Sequence, residues 1–143
     1  MRYPELALNE HFCLLAAQKC GLVVPNWSVS ENGRFLVVDR FDLDEQGQSL
    51  GLEDFCVLQG LGTKDKYSGR YEQLAKIIKS FVPPESQSKA LRAFFKMVAL
   101  TVGLRNGDAH RKNFCVLYDS PVLRQCQLGT YLRSDHHDGI FAA

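Results

Sequence analysis

Residues 85–104 constrain this chain more than any other stretch. Leu91, Phe94, Phe95, Val98 and Val102 recur there at helical spacing on one broad face, while Lys89, Arg92 and Lys96 lie elsewhere. That pattern predicts a long core helix with one wet side. Arg105-Asn106-Gly107 predicts its end, and Phe114-Cys115-Val116-Leu117-Tyr118 predicts a short strand after a polar loop. A helix of this kind needs other elements to cover its apolar face. The rest of the chain has to supply them.

Leu8, Phe12, Leu15 and Ala16 predict a helix over residues 6–20, stopped by Gly21 and Pro25. The turn-like Glu31-Asn32-Gly33 precedes Phe35, Leu36, Val37 and Val38, which predicts a strand over 34–41. A polar loop over 42–51, a short helix around 52–58, a Gly/Lys/Asp-rich segment over 60–70 and a helix over 71–81 ended by Pro83-Pro84 complete the reading. The fold class is α+β and mostly helical. With 143 residues, 45% of them hydrophobic, the chain is long enough for one domain with a real core.

Composition excludes some functions. A formal net charge of +1 gives no global electrostatic reason to bind nucleic acid or membrane. Five cysteines without a Cys-x-x-Cys pair argue against a disulfide framework and a structural zinc site, and favour a reducing cytoplasm. No apolar run approaches the ~18 residues needed to cross a bilayer, and no signal segment opens the chain.

The chemistry gathers in the loop Asn106-Gly-Asp-Ala-His-Arg-Lys-Asn-Phe114, between two elements expected to be buried. Asp108 and Asn113 have the Asp-x-x-x-x-Asn spacing of a kinase catalytic loop, where the aspartate receives the substrate hydroxyl proton and the asparagine oxygen ligates magnesium. Such oxygens suit a hard cation, and Lys112 is placed to neutralise phosphate charge. The competing structural reading is a polar turn, with Asp108 in an Asx-type turn and His110 solvated.

The loop resembles that of the HipA-type toxin kinases, whose pattern runs Asp-x-His-x-Lys-Asn-Phe. Four further stretches are similar and in the same order: Asn9-Glu-x-Phe-Cys-Leu-Leu-Ala-Ala17 with Cys20-Gly-Leu-x-Val-Pro25, then Val38-Asp-Arg-Phe-Asp42, Leu52-Glu-Asp-Phe-Cys56 and Lys64-x-Lys-Tyr67. The resemblance implies a partial kinase-like domain, protein serine/threonine kinase activity with ATP and Mg2+, and a HipB-type antitoxin partner through which alone DNA would be contacted. It implies Asp108 as catalytic base, Asn113 as magnesium ligand, His110, Arg111, Lys112 and Asn113 on the nucleotide side, and Asp39, Arg40 and Phe41 as the hinge, with Asp39 where the family usually has Glu.

Such kinases carry a glycine-rich phosphate loop and a phosphate-gripping lysine ahead of the segment matched by residue 6, and neither precedes Met1. The chain is therefore expected to bind ATP weakly or not at all and to show weak or no turnover alone, with apolar surface exposed where those strands would pack. Residues 1–121 are read as a HipA-like kinase fragment. Residues 122–143 are read as a tail that does not pack on the core. Asp135, His136, His137 and Asp138 are read as part of that tail rather than as a metal site. With permitted codons chosen and the codon boundary moved by one base, residues 127–141 can spell the metal-binding Asp-Leu-Ile-Thr segment that the resemblance leads one to expect there, and on that reading the tail is out of frame. Two other classes compete: a non-catalytic module that binds an antitoxin, and an aminoglycoside-type small-molecule phosphotransferase.

Overall fold

A computed structural model describes residues 5–105, 110–119 and the backbone of 126–130. Its elements run α1 (Leu6–Lys19), β1 (Trp27–Val29), β2 (Leu36–Val38), β3 (Gly51–Asp54), α2 (Tyr71–Phe81), α3 (Pro84–Gly103), β4 (Phe114–Tyr118) and β5 (Cys126–Thr130). The fold is α+β, as the sequence implies. Two antiparallel sheets flank the helices: the β1–β2 hairpin, and a three-stranded sheet in the order β3-β4-β5.

Helix α1 ends in a Schellman arrangement. The Leu22 N–H donates to the Ala17 carbonyl at 3.0 Å and the Gly21 N–H to the Gln18 carbonyl at 2.9 Å, with Gly21 at φ 70°. Lys96 of α3 donates its ammonium to the Cys20 carbonyl at 2.9 Å, so a long-range contact satisfies the same helix end. The buried face of α1 is Cys13, Leu14 and Ala17, not the periodic set Leu8, Phe12, Leu15 and Ala16 expected from sequence. Apolar residues occupy two stripes of this helix. Leu8 packs beneath Gly33 at the hairpin turn, and His11 Nδ1 accepts the Trp27 indole N–H at 2.9 Å.

The strand expected over 34–41 is shorter, Leu36–Val38, and it pairs with β1, which the sequence reading missed. A second correction concerns 52–58. Gly51–Asp54 is a strand, paired Gly51↔Tyr118 to Asp54↔Cys115 with β4. Only its sequel is helical: the Asp54 carboxylate accepts the Cys56 and Val57 N–H groups at 2.8 and 3.0 Å and starts a single 3₁₀ turn, Val57–Gln59, that stops at Gly60.

Helices α2 and α3 lie close to the expected bounds. Pro84 occupies the first turn of α3, where a missing N–H costs nothing. Gln87 donates its amide to the Lys79 and Val82 carbonyls, both at 2.9 Å, and so joins the end of α2 to the start of α3. The core packs Leu74, Ile77 and Ile78 of α2 against Ala90, Phe94 and Met97 of α3, with Phe55, Phe114 and Val116 from the sheet side. Phe114 is the aromatic centre, edge-on to Phe94 at 5.2 Å and 5.9 Å from Phe55. Phe95 and Val102, expected on the core face of α3, are instead 70% and 68% exposed. The inward stripe is Ala90, Phe94, Met97 and Thr101.

Residues 126–130 pair with β4 from Tyr118↔Cys126 to Phe114↔Thr130, so this part of the tail does add to the sheet. Backbone pairing requires no apolar face, which is why hydropathy gave no sign of it. The cluster Asp135, His136, His137 and Asp138 lies outside the described residues. Among the described residues, no helix is long and apolar enough to cross a membrane.

Candidate functional site

The loop is held between two rigid elements. Helix α3 delivers the chain to Arg105, which turns with φ 52°, and residues 111–113 form a 3₁₀ turn that feeds β4. Asp108, the expected base, falls outside the described residues. In β4, Phe114, Cys115, Val116 and Leu117 are all buried, and the Phe55 N–H donates to the Phe114 carbonyl at 3.0 Å. The chain that leaves the loop is therefore anchored from its first residue. Burial pushes the Cys115 thiol up to about 12, with nearby Asp54 adding to the shift, so that sulfur stays protonated and unreactive at neutral pH.

Within the loop, Lys112 extends its ammonium to 3.9 Å from the Asp54 carboxylate while remaining partly solvent-exposed. Asn113 is half-buried, and its N–H donates to the His110 carbonyl at 3.0 Å. His110 meets Tyr67 edge to face with ring centroids 5.0 Å apart, and Lys66 lies over the same tyrosine ring at 4.7 Å. Two stretches that sequence reading marked without assigning a role, Leu52-Glu-Asp-Phe-Cys56 and Lys64-x-Lys-Tyr67, thus form walls of the loop.

Arg111, expected on the nucleotide side, is held among the protein's own oxygens. It is 5% exposed, and its guanidinium donates to the Ser68 carbonyl at 2.6 Å, to Gln73 Oε1 at 2.8 Å and to Gln59 Oε1. Its backbone N–H donates to the Lys66 carbonyl at 3.1 Å. Its donors are directed at the protein's own oxygens. The spacing-based reading had no access to these partners, which lie 38 to 52 positions away in sequence.

The expected hinge lies beyond β2. The Asp39 N–H donates to the Asn26 carbonyl at 2.9 Å, and the Asn26 side chain donates to Asp39 Oδ2 at 3.2 Å. Arg40 is exposed and grips Asp42 through two hydrogen bonds of 2.9 and 2.7 Å, which hold the Asp42 carboxyl below its ordinary value. Phe41 is half-buried. The Leu50 N–H donates to the Asp42 carbonyl at 2.7 Å, closing the 42–50 loop and starting β3. The 42–50 loop leads from the hinge segment into β3, whose partner β4 is the strand that leaves the loop at Phe114.

The donor chemistry fits part of a magnesium site. An asparagine amide oxygen is a hard ligand of the kind magnesium takes, and no group of three or more His, Cys, Asp or Glu gathers among the described residues. Magnesium commonly takes only one or two protein oxygens, with water and phosphate completing its octahedron.

The profile of the HipA-like C-terminal domain matches residues 1–128. The chain is 37% identical over 132 residues to Putative kinase Y4mE of Sinorhizobium fredii, covering 82% of this chain and 30% of that protein. It is 32% identical over 133 residues to a Putative kinase of Haemophilus influenzae, covering 81% of this chain and 37% of the relative. The chain thus spans about a third of the curated relatives it matches. Among solved structures, a chain from the Shewanella oneidensis toxin–antitoxin complex of HipA, HipB and its operator DNA superposes with a TM-score of 0.68 at 21% identity. That match covers 93% of this chain and 35% of the other.

Proposed function

This chain belongs to the HipA-like C-terminal domain family, and on that premise we propose that it supplies the catalytic-loop side of an ATP- and magnesium-dependent kinase that phosphorylates a protein serine or threonine hydroxyl. The relatives' names, Putative kinase Y4mE and Putative kinase, support a kinase-like family. The observation that carries the finer reading is the loop itself. Lys112 and Asn113 are held in a short turn that leads into a strand buried from Phe114 to Leu117, with Asp54 and Tyr67 as walls. Preorganised polar groups on rigid elements are what phosphoryl transfer requires, because its catalysis is mostly positioning and charge stabilisation.

In this reading Asp108 receives the proton of the attacking hydroxyl, Asn113 gives its amide oxygen to magnesium, and Lys112 and His110 face the phosphates. The backbone of Asp39, Arg40 and Phe41 meets the adenine. Magnesium, when bound, would neutralise charge on the transferring phosphoryl group. Arg111 is withdrawn from the nucleotide side, since its donors are engaged within the protein. The partner proposed is a HipB-type antitoxin, with DNA contacted only through it.

The test is binding, measured by equilibrium dialysis of Mg·ADP against the whole chain. Binding that needs magnesium, falls about tenfold in Asn113→Ala and survives Asp108→Ala is expected. Equal binding with and without magnesium would exclude the assigned roles. Co-purification of a small DNA-binding protein expressed from the adjoining gene tests the partner, and its failure to associate removes that part of the reading.

A further inference from the structure

Residues 62–73 bury no side chain: Lys66 is half-buried and the others are exposed. A groove of about 650 Å³ opens where Leu58 and Leu61 stand apart from Ile77 and Phe81 of α2, so apolar packing does not hold the outer segment against that helix. Segments with so little buried surface are ordinarily the first to open. Besides the edge-to-face contact of Tyr67 with His110, the hydrogen bonds that tie this one to the loop among the described residues converge on Arg111. Arg111 reaches out from the loop to Ser68, Gln73 and Gln59 through its side chain and to Lys66 through its backbone.

The surrounding sequence fits that grip. Gly69 has φ 91°, and a Cβ on it would overlap the Arg111 guanidinium, so both the backbone conformation and the space require glycine there. Gln73 Oε1 accepts from Arg111 and also, at 3.4 Å, from the Arg70 N–H, which joins the grip to the first turn of α2. The acceptors among the described residues are all neutral oxygens. Burying a guanidinium carries a large desolvation cost, and an apolar side chain of similar volume would ordinarily pack there with less penalty. A charge kept at this place is explained by directed hydrogen bonds, which an apolar residue cannot make.

We propose that Arg111 is a positioning residue that locks segment 63–70 to the loop, so that His110, Lys112 and Asn113 hold their places only while that segment is docked. The consequence for ligand binding rests on the nucleotide-side reading of the loop given above. The docking itself does not.

Amide hydrogen exchange on the whole chain, followed by mass spectrometry, separates the two. In Arg111→Met and in Gly69→Ala, peptides covering 63–70 and 110–114 should both exchange about tenfold faster, while peptides from Leu36–Val38 and from the middle of α2 keep their rates. Gln73 is at the surface, so Gln73→Leu keeps the fold and should accelerate both segments about threefold, whereas Gln73→Glu retains the acceptor and should restore the native rates. Acceleration of one segment without the other, or of neither, overturns the proposal. Mg·ADP dialysis then reads the consequence: Arg111→Met should weaken binding about tenfold with Lys112 and Asn113 intact, and unchanged binding overturns the positioning role. If the unmodified chain does not bind Mg·ADP, the functional reading of the loop fails, and the paired exchange rates still decide whether Arg111 locks the two segments together.

Discussion

The first fifty residues and the stretch from 51 to 118 use apolar side chains differently. In the first region, Phe12, Phe35 and Val37 are 61%, 63% and 52% exposed, and Val23 is 90% exposed. The hairpin is fixed by polar contacts: Asn32 Oδ1 accepts from Ser30 Oγ at 2.8 Å and from the Arg34 N–H at 3.1 Å, while Ser30 Oγ accepts the Phe35 N–H at 3.0 Å. In the second region Phe55, Ile78, Met97 and Val116 are essentially inaccessible. The loop proposed to carry the chemistry grows out of the second region, and the proposed hinge out of the first. The second region is held by burial, while in the first the α1 face and Leu22 join the core and the β1–β2 hairpin is held by hydrogen bonds at the surface, so perturbations of the hairpin and of the core should separate cleanly.

The widest separation is expected between two phenylalanines. Phe55→Ala removes a ring that is 0% exposed and touches Phe114, and should cost about 3–5 kcal/mol in urea denaturation. Phe35→Ala should stay within about 0.5 kcal/mol. Comparable losses at the two positions would mean that the hairpin region is covered in solution, and the contrast between the halves would not stand.

Alkaline pH should load the second region selectively. Cys115 is raised from an ordinary 9.0 to about 12 by burial and then by Asp54, so between these values the unfolded thiol ionises while the folded one does not. A folded value above the unfolded one means stability is fully present below pH 9.0 and declines as pH rises toward 12, by about 1.4 kcal/mol per pH unit for this group. Cys115→Ala should flatten that part of the profile. Iodoacetamide at neutral pH gives a second reading, with exposed Cys20 expected to label well before Cys115.

A smaller effect belongs to the joint between the halves. Gly21 carries the left-handed φ that lets α1 close its Schellman bonds, and Leu22 behind it is buried in the shared core. Gly21→Ala should cost about 1–2 kcal/mol through backbone strain, aggravated by the Lys96 ammonium 3.3 Å from the added methyl. The same change at Gly60, also at positive φ but with open space around it, isolates the backbone part of that cost.

What was legible in the sequence divides along chemical lines. Pro83-Pro84 and Gly21 announce where helices begin and stop, because their effect on the backbone is local. β1 and β3 were not legible as strands, since segments of three and four residues depend on partners chosen elsewhere in the fold. The face of α3 was misjudged for a related reason. Apolar residues surround that helix, and hydropathy cannot say that Met97 and Thr101 turn inward while Phe95 and Val102 turn outward. At the candidate site, the order of residues in the loop singled out Lys112 and Asn113, which the structure holds in one short turn before β4. The part of Arg111 was hidden, because Gln59, Ser68 and Gln73 carry no motif and meet it only in three dimensions.

The smallest effect tests the surface half. The two hydrogen bonds from Arg40 hold the Asp42 carboxyl below its ordinary value, and Asp42 in turn raises the Arg40 guanidinium above its own; Arg40 is exposed and Asp42 partly so. A carboxylate whose folded value lies below the ordinary 3.8 adds stability that is present above pH 3.8 and is lost as pH falls through the folded value. Wild type and Arg40→Met should therefore differ slightly at neutral pH and converge in acid. Screening should erase the difference in about 0.5 M salt, because exposed ion pairs are weak and their field is damped within a few ångströms. A gap that persists in high salt would show that the pair is shielded in solution. The exposed hinge would then be better covered than its side-chain accessibilities of 58% and 27% imply, and the division between a hydrogen-bonded half and a buried half would have to be redrawn at Asp42.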